Sequence, residues 1–281
     1  MLRRLRMLRQ CQRFEKELAP VLDAPEGTAM HLLYQQRPDI IGTVIWPYIC
    51  KDWDAPTRLN RVASHYAVLD EIGSPFPFPI EDRLVVADLR DQYTDLKLML
   101  DQPGWFKREG GLTLNMFVDD FRAYSIAFSF HTEDDGGRSI YIGGLQGRST
   151  DEALDCYRDL TKSLFGIRPR DLLIYALQIL ATHTNTKRIF AVSDECRHHR
   201  HPYFAKKELG SNYNAIWEDR AGVRVSEQFY ELSVTPYRRD IDEVKSKKRS
   251  LYKKRYAFLD ELQPRIIEGM HTATLVRFVD L

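Results

Sequence analysis

The segment from Ile140 to Asp194 constrains the fold more than any other part of this chain. Ser139-Ile140-Tyr141-Ile142 is dense in β-branched and aromatic residues and reads as a strand. Gly143-Gly144-Leu145-Gln146-Gly147-Arg148 follows with little side-chain bulk, which brings the main chain within reach of a ligand. An apolar helical pattern then begins at Pro169 and runs to about Thr184 through Leu172, Leu173, Ala176, Leu177, Ile179 and Leu180. Proline suits the first turn of a helix, and Asp171 suits its positive end. Lys187-Arg188-Ile189-Phe190-Ala191-Val192-Ser193 resumes as a strand, so the unit reads as two parallel strands joined by a crossover helix. Free N–H groups at the helix start, with Gly166 beside them and Lys162, Arg168 and Arg170 around them, would make a site for a phosphate or pyrophosphate. The same cations would equally serve to solvate the end of an ordinary crossover helix.

Upstream the pattern changes. Residues to about Asp70 read mainly as helices, and Leu2, Leu5, Leu8, Phe14 and Leu18 fall on one face of the first, with Arg3, Arg4, Arg6, Arg9 and Arg13 around the remainder. Ser74-Pro75-Phe76-Pro77-Phe78-Pro79 cannot be a regular helix and marks the best internal boundary. Strands are predicted at Leu84 to Leu89, Leu96 to Leu100, Leu112 to Val118, Ala123 to Phe130 and Arg138 to Gly143. Glu133-Asp134-Asp135-Gly136-Gly137 suits the turn of an antiparallel hairpin between the last two. Beyond the crossover unit come a short helix near Tyr213 to Glu218 and strands near Val223 and from Phe229 to Val234. Val244, Leu251, Leu259 and Leu262 space a final helix whose outer face carries Lys247, Lys248, Lys253 and Lys254. The expected organisation is a helical lobe over 1–79, an α/β core over 80–237, and a basic helix with a terminal strand over 238–281.

Composition narrows the class. With 281 residues and 43% hydrophobic content the chain can fill a substantial core. A formal charge of only +1 means that attraction to nucleic acid or membrane must come from local patches. Cys11, Cys50, Cys156 and Cys196 show no paired CxxC spacing, which argues against a zinc ribbon and fits a reducing cytoplasm. No run of 18 or more apolar residues occurs. Met1-Leu2-Arg3-Arg4-Leu5-Arg6 has the charge of a signal-peptide start without the apolar region that should follow. The expected location is the cytoplasm, or the periphery of the inner membrane.

Landmarks along nearly the whole chain carry a resemblance. Arg37-Pro38-Asp39-Ile40-Ile41-Gly42, Trp46-Pro47-Tyr48, Trp53, Arg58, His65-Tyr66, Arg108-Glu109-Gly110-Gly111-Leu112-Thr113-Leu114-Asn115, Ile142-Gly143-Gly144-Leu145-Gln146-Gly147, Thr161-Lys162, Gly166-Ile167-Arg168-Pro169 and Lys247-Lys248-Arg249 resemble those of the bacterial VirK/YbjX family. The resemblance implies an association with virulence, envelope maintenance and resistance to antimicrobial peptides. One departure is the Ala221-Gly222 pair after Trp217-Glu218-Asp219, where a double glycine is expected.

The order of elements is also similar to a GNAT-like acyltransferase: antiparallel strands, a glycine-and-cation turn, a helix, a parallel strand and a final hairpin. The expected fold is therefore α+β, with a mixed, mainly antiparallel sheet. That analogy implies that the strand before the turn splays from the next, leaving backbone groups to hold a thioester arm. Gly144 to Gly147 would hold the arm, and Lys162, Gly166, Arg168 and Arg170 the phosphate. The insertion from Ser149 to Leu160 lengthens the usual strand-to-helix turn and admits acyl carrier protein, or an aminoacyl donor on RNA, in place of acyl-CoA.

Acyl transfer needs an amine or hydroxyl held against the donor and one proton removed. Glu109, beside Gly110-Gly111 at a strand entry, is a candidate base; His65 and His198 are others, because an imidazole titrates near neutral pH. Gln146 would orient substrate or stabilise an oxyanion through its amide N–H. Each has an ordinary alternative: Glu109 paired with Arg108 or Arg122, His65 bonded inside the helical lobe, His198-His199-Arg200-His201 a solvated loop, Gln146 a loop cap. The histidines and Cys196 are usable metal ligands, but neighbours at these spacings face one ion only in a tightly bent loop, so no metal is expected.

The leading expectation is an acyltransferase that moves an acyl or aminoacyl group from a thioester or ester to an amine or hydroxyl. The competing one is a noncatalytic envelope-maintenance or virulence factor whose basic helices bind anionic lipid or a protein partner.

Overall fold

The computed structural model describes residues 2–204 and 210–277, with side chains from residue 5 onward. Among these, the strands are β1 (Asp82–Asp88), β2 (Leu96–Asp101), β3 (Leu112–Val118), β4 (Phe121–Thr132), β5 (Arg138–Gly147), β6 (Arg188–Val192), β7 (Val223–Arg224), β8 (Phe229–Leu232) and β9 (Leu275–Arg277). They form one sheet in the order β7-β8-β6-β5-β4-β3-β2-β1-β9. β1 to β5 run as successive antiparallel neighbours, β5 and β6 are parallel, and β8 lies antiparallel to β6 with β7 outside it. β9 closes the other edge against β1. The mixed, mainly antiparallel sheet matches the expected α+β class.

The helices are α1 (Leu2–Arg13), α2 (Glu15–Leu22), α3 (Ala29–Gln36), α4 (Ala55–Ile72), α5 (Asp151–Ser163), α6 (Pro169–His183), α7 (Tyr213–Glu218) and α8 (Ser246–Thr272). α4 starts where Asp54 accepts the Thr57 N–H, with Pro56 in the first turn. It buries Leu59, Val62, Tyr66 and Leu69, a spacing of three and four that makes one apolar stripe. α6 is apolar on most of its circumference because it is wedged between the sheet and α8, where the Tyr175 hydroxyl donates to the Leu259 carbonyl.

Side-chain alternation along β4 and β5 assigns the two faces of the sheet. Ser125, Ser129 and Tyr141 look toward the N-terminal helices: Tyr48 bonds Ser129, and Arg61 of α4 stacks on Tyr141. Tyr124 and Gly147 look the other way, toward Tyr157 of α5. α1 packs on the first side through Met7, Cys11 and Phe14, against Leu18, Val44 and Leu59. One continuous core runs from Val21 to Met270, so helices of all three expected segments share it with the sheet.

Two local expectations are corrected. The stretch from Ser149 to Leu160 is not a lengthened turn: Thr150 caps α5 by accepting the Ala153 N–H, and the helix buries Ala153 and Leu160. Gly143 to Gly147 is not a turn either but the last part of β5, paired with β4 through Gly147.

Candidate functional site

The glycines of β5 are explained by what lies on them. The segment Arg108 to Gly111 crosses β4 and β5 at contact distance: a Cβ on Gly110 would strike the Phe128 backbone, one on Gly143 the Glu109 carbonyl, and one on Gly144 the Glu109 carboxylate. Gly143 forms a bulge, between the pairs Phe128 with Ile142 and Ala127 with Gly144, so both glycines face the same side. Glu109 is thereby pressed onto the sheet and is 3% exposed.

Three of the four sequence candidates meet there. The Gln146 amide nitrogen lies 2.5 and 2.6 Å from the two Glu109 carboxylate oxygens and donates to the carboxylate. His198 comes in from the segment after β6, anchored by its N–H on the Ile49 carbonyl, and its Nε2 stands 4.0 Å from Glu109. Burial pushes the Glu109 carboxyl up to about 8, against the opposing pull of Gln146 and Arg197. Burial also holds His198 well below its usual range, helped by repulsion from His199, Arg108 and Arg197. Near pH 7 the pair is therefore a carboxylic acid beside a neutral imidazole. Neither of the larger cavities is lined by Glu109, and Phe204 packs on the rings of both His198 and His199.

Glu109, His198 and His199 each bring a ligand atom within 4.8 Å of the others, the composition of a three-ligand metal site. The bend judged necessary from spacing is present, since the two imidazole centroids are 3.8 Å apart. The guanidiniums of Arg108 and Arg197, close enough to depress His198, work against a dication in the same place. Cys196 and His201 are engaged elsewhere, on Asp52 and on the Tyr203 N–H.

The fourth candidate, His65, is fully buried under α4. Its Nδ1 accepts the Phe130 N–H, at the point where β3 has ended and β4 has no neighbour on that side, and Gly111 leaves room for its ring. Burial lowers its pKa to about 3, which makes it a neutral backbone cap.

A second interruption of the ladder lies where the acyltransferase analogy leads one to expect the strands to splay, but the residue that fills it was not legible in the sequence. β5 and β6 pair from Ser139 with Arg188 to Ile142 with Ala191 and then part. Beyond that point Tyr213, at the start of α7, reaches into the gap: its hydroxyl accepts the Leu145 N–H at 2.7 Å and donates to the Leu145 carbonyl at 3.1 Å. Arg197 stacks on its ring at 4.1 Å, and burial keeps the phenol protonated far above its ordinary range.

The expected phosphate-binding residues lie on the opposite face. A groove of about 620 Å³ is lined by Tyr124, Leu154, Tyr157, Lys162, Arg168 and Arg170, at the start of α6. Gly147 borders it, with Tyr124 and Tyr157 against its missing side chain, whereas Gly144 looks to the Glu109 side. The cations are already paired: Arg168 with Asp171 and Asp219, Arg170 with Asp219, Lys162 with Asp159. Gly166 does not line the groove. It ends α5 at φ 79°, after Phe165 at φ 53°, with its N–H on the Thr161 carbonyl and Arg255 of α8 beside it.

Comparison with known proteins places this site in a family context. Residues 1–268 match the model of a family described as "Protein of unknown function (DUF535)". The chain is 29% identical to "Uncharacterized protein YbjX" of Escherichia coli (strain K12) over 249 residues, covering 84% of this chain and 74% of that protein. An "Uncharacterized protein" of Haemophilus influenzae is 24% identical over 254 residues, covering 89% and 84% respectively. A further one from that organism is 27% identical over 134 residues, 48% of this chain and 44% of its own length.

Proposed function

This chain belongs to the DUF535 family, the VirK/YbjX family its landmarks resemble, and since that membership names no chemistry we propose from its own geometry that it is an acyltransferase with a GNAT-like core. The observation that carries the reading is the gap after Ile142, where a single phenol stands in for a strand and satisfies both backbone groups of Leu145. An amide-bearing thioester arm offers the same donor and acceptor, so it can take the phenol's place on the strand. The strand order supports the same reading, because five antiparallel strands lead to a parallel partner through the crossover helices, followed by an antiparallel hairpin. The groove beside Gly147 gives the donor's bulk a place on one face. Arg168, with its side chain 47% exposed, can exchange a surface carboxylate for a phosphate.

In the reaction, ionised Glu109 takes the proton from the attacking amine or hydroxyl, whose lone pair forms the new bond to the donor carbonyl carbon. A carboxyl near pKa 8 is a stronger base than an ordinary carboxylate, and its ionised fraction grows as the pH rises toward 8. The carbonyl oxygen carries the negative charge until the carbon–sulfur or carbon–oxygen bond breaks. The leaving group then takes the proton held by Glu109, directly or through water, which regenerates the carboxylate. The donor class, acyl-CoA, carrier thioester or aminoacyl ester, is chosen by experiment: purified protein is incubated with one of each and release of thiol or free RNA is followed, for wild type and for Glu109→Gln. Turnover of no donor by wild type overturns the reading.

A second reading is favoured by α1. Leu5 and Leu8 are 46% and 61% exposed, Arg6, Arg9 and Arg13 surround them, and the helix contains no acidic residue. Such a surface suits an anionic bilayer. The side chains of Arg3 and Arg4 lie outside the described residues. Among the described residues no helix is long and apolar enough to cross a membrane. α8, by contrast, contacts β1 and α6, so its lysines stand apart from α1.

A further inference from the structure

On the Glu109 side of the sheet a second cavity, about 440 Å³, opens between β2, β4 and the turn that carries Trp105. Its floor includes Asp101 and Arg122, which are fixed by polar groups buried beneath them. Asp101, 4% exposed, accepts from Asn115 at 2.8 Å and from Arg122 at 2.5 Å; Arg122 also donates to Asn115, which accepts from Ser125 at 2.7 Å. Arg83 and Arg122 both lie over the Phe117 ring, at 4.2 and 4.7 Å from its centroid. The rim is Trp105, 62% exposed, with the Arg122 guanidinium 5.4 Å from its ring.

The chemistry of this cleft rules out several occupants. Three arginines and three acids line it, so a ligand of strong net charge gains no net attraction. A lipid chain would desolvate the buried ion pair without compensation. A peptide strand would need an unpaired sheet edge, and the cleft lies over strands that are paired on both sides. What remains is a neutral ligand rich in alternating donors and acceptors with a flat apolar face for the indole: a hydroxylated sugar ring. Rigid planar acceptors and donors read its hydroxyls, and the tryptophan covers its C–H face.

The cleft is also connected to the carboxyl. Asn115 stands opposite Ser125 across β3 and β4, Ser125 opposite Gln146 across β4 and β5, and Gln146 holds Glu109. Two strand spacings, about 10 Å, separate Asn115, beneath the cleft, from Gln146, which is the span of about two sugar rings. We propose that this cleft binds a saccharide, and that the acceptor of the acyl group is a hydroxyl or amine on a sugar held there. The second half of the proposal rests on the acyltransferase reading; the first does not.

The test measures sugar binding with no donor present. Saturation-transfer NMR and titration calorimetry are run on the full chain with mono- and disaccharides of glucose, glucosamine and N-acetylglucosamine, and with their octyl glycosides below micelle formation. Contact from the ring protons, weakened about tenfold by Trp105→Ala with the fold intact, is the expected result. Trp105 is exposed, so its loss leaves the core untouched; Arg122→Lys, which keeps the charge but not the planar fork, should weaken binding in the same sense. Equal contact from free sugars and glycosides assigns a soluble glycan, while contact from the glycosides alone assigns a glycolipid headgroup. Absence of ring contact in every arm, or binding unaffected by Trp105→Ala, overturns the proposal. Sugar binding without turnover of any acyl donor would instead leave the cleft standing and remove the acyltransferase reading.

Discussion

Glu109 and Gly144 occupy complementary space: the carboxylate sits where a side chain at residue 144 would begin. Gly144→Ala must therefore push Glu109 off the sheet, since the β5 backbone is held by β4. The expected loss is about 1 to 3 kcal/mol in a denaturant titration, typical of overpacking. Adding Glu109→Ala should restore much of it, a coupling that a double-mutant cycle reads directly. Additive losses would mean that the two residues do not share the space.

The raised carboxyl makes stability depend on pH in a defined sense. Glu109 titrates near 4.5 when unfolded and near 8 when folded, so the folded chain holds its proton more tightly. The contribution is fully present below pH 4.5 and is lost as pH rises through 8, on the order of 5 kcal/mol in total. Glu109→Gln, which copies the protonated form, should flatten the profile between those limits. Parallel profiles for the two proteins would contradict the burial-driven shift. Turnover, if Glu109 is the base, should rise over the upper part of the same interval.

Removing the Tyr213 hydroxyl leaves the Leu145 N–H and carbonyl without their partner, at a cost of about 1 to 3 kcal/mol. Tyr213→Phe should thus lower the melting temperature while keeping the ring packed against Trp217. For an acyltransferase the same change should leave donor affinity equal or higher, because the arm no longer competes with a phenol. Loss of affinity would place the hydroxyl on the donor instead.

Ala221 holds φ at 57° just after α7, a conformation that favours glycine, and the Gly222 N–H closes the turn on the Trp217 carbonyl. Family resemblance leads one to expect glycine at this place. Ala221→Gly should raise stability by about 0.5 to 1 kcal/mol, checked by thermal unfolding. The left-handed backbone is already present, so the gain comes from relieved strain.

If α1 meets an anionic bilayer, sedimentation with liposomes should fall as salt rises and the Debye length shrinks to about 3 Å at molar ionic strength. Arg6→Glu with Arg9→Glu should abolish it at low salt with little change in melting, because both side chains are exposed. Equal binding to neutral liposomes would return the helix to a solvated outer face.

Elements whose cause is local were readable from the chain. Apolar runs marked β1 to β5, Pro169 with its apolar period marked α6, and Tyr213 to Glu218 emerged with the observed limits. α5 was missed because its apolar stripe, Ala153, Cys156, Tyr157 and Leu160, is short and set among charged residues. The glycines of β5 were misread as a turn because their cause is tertiary: nothing within the strand announces the Arg108 to Gly111 segment lying on it. Glu109, Gln146 and His198 could each be chosen by residue type, yet their meeting depends on three segments far apart in the chain. Tyr213 carried no motif. A lone tyrosine ahead of a short helix signals nothing until the neighbouring strand is seen to lose its partner.

The sheet keeps Glu109 and Gln146 on one side and the Arg168 groove on the other, with Leu145 and Tyr213 at the opening between. In a transferase arranged this way neither substrate blocks the other's entrance. Both can be present together, and no covalent acyl-enzyme is needed to separate their visits. Initial-rate plots against one substrate at fixed levels of the other should then intersect, as in a ternary-complex mechanism, and each product should inhibit through its own side of the sheet.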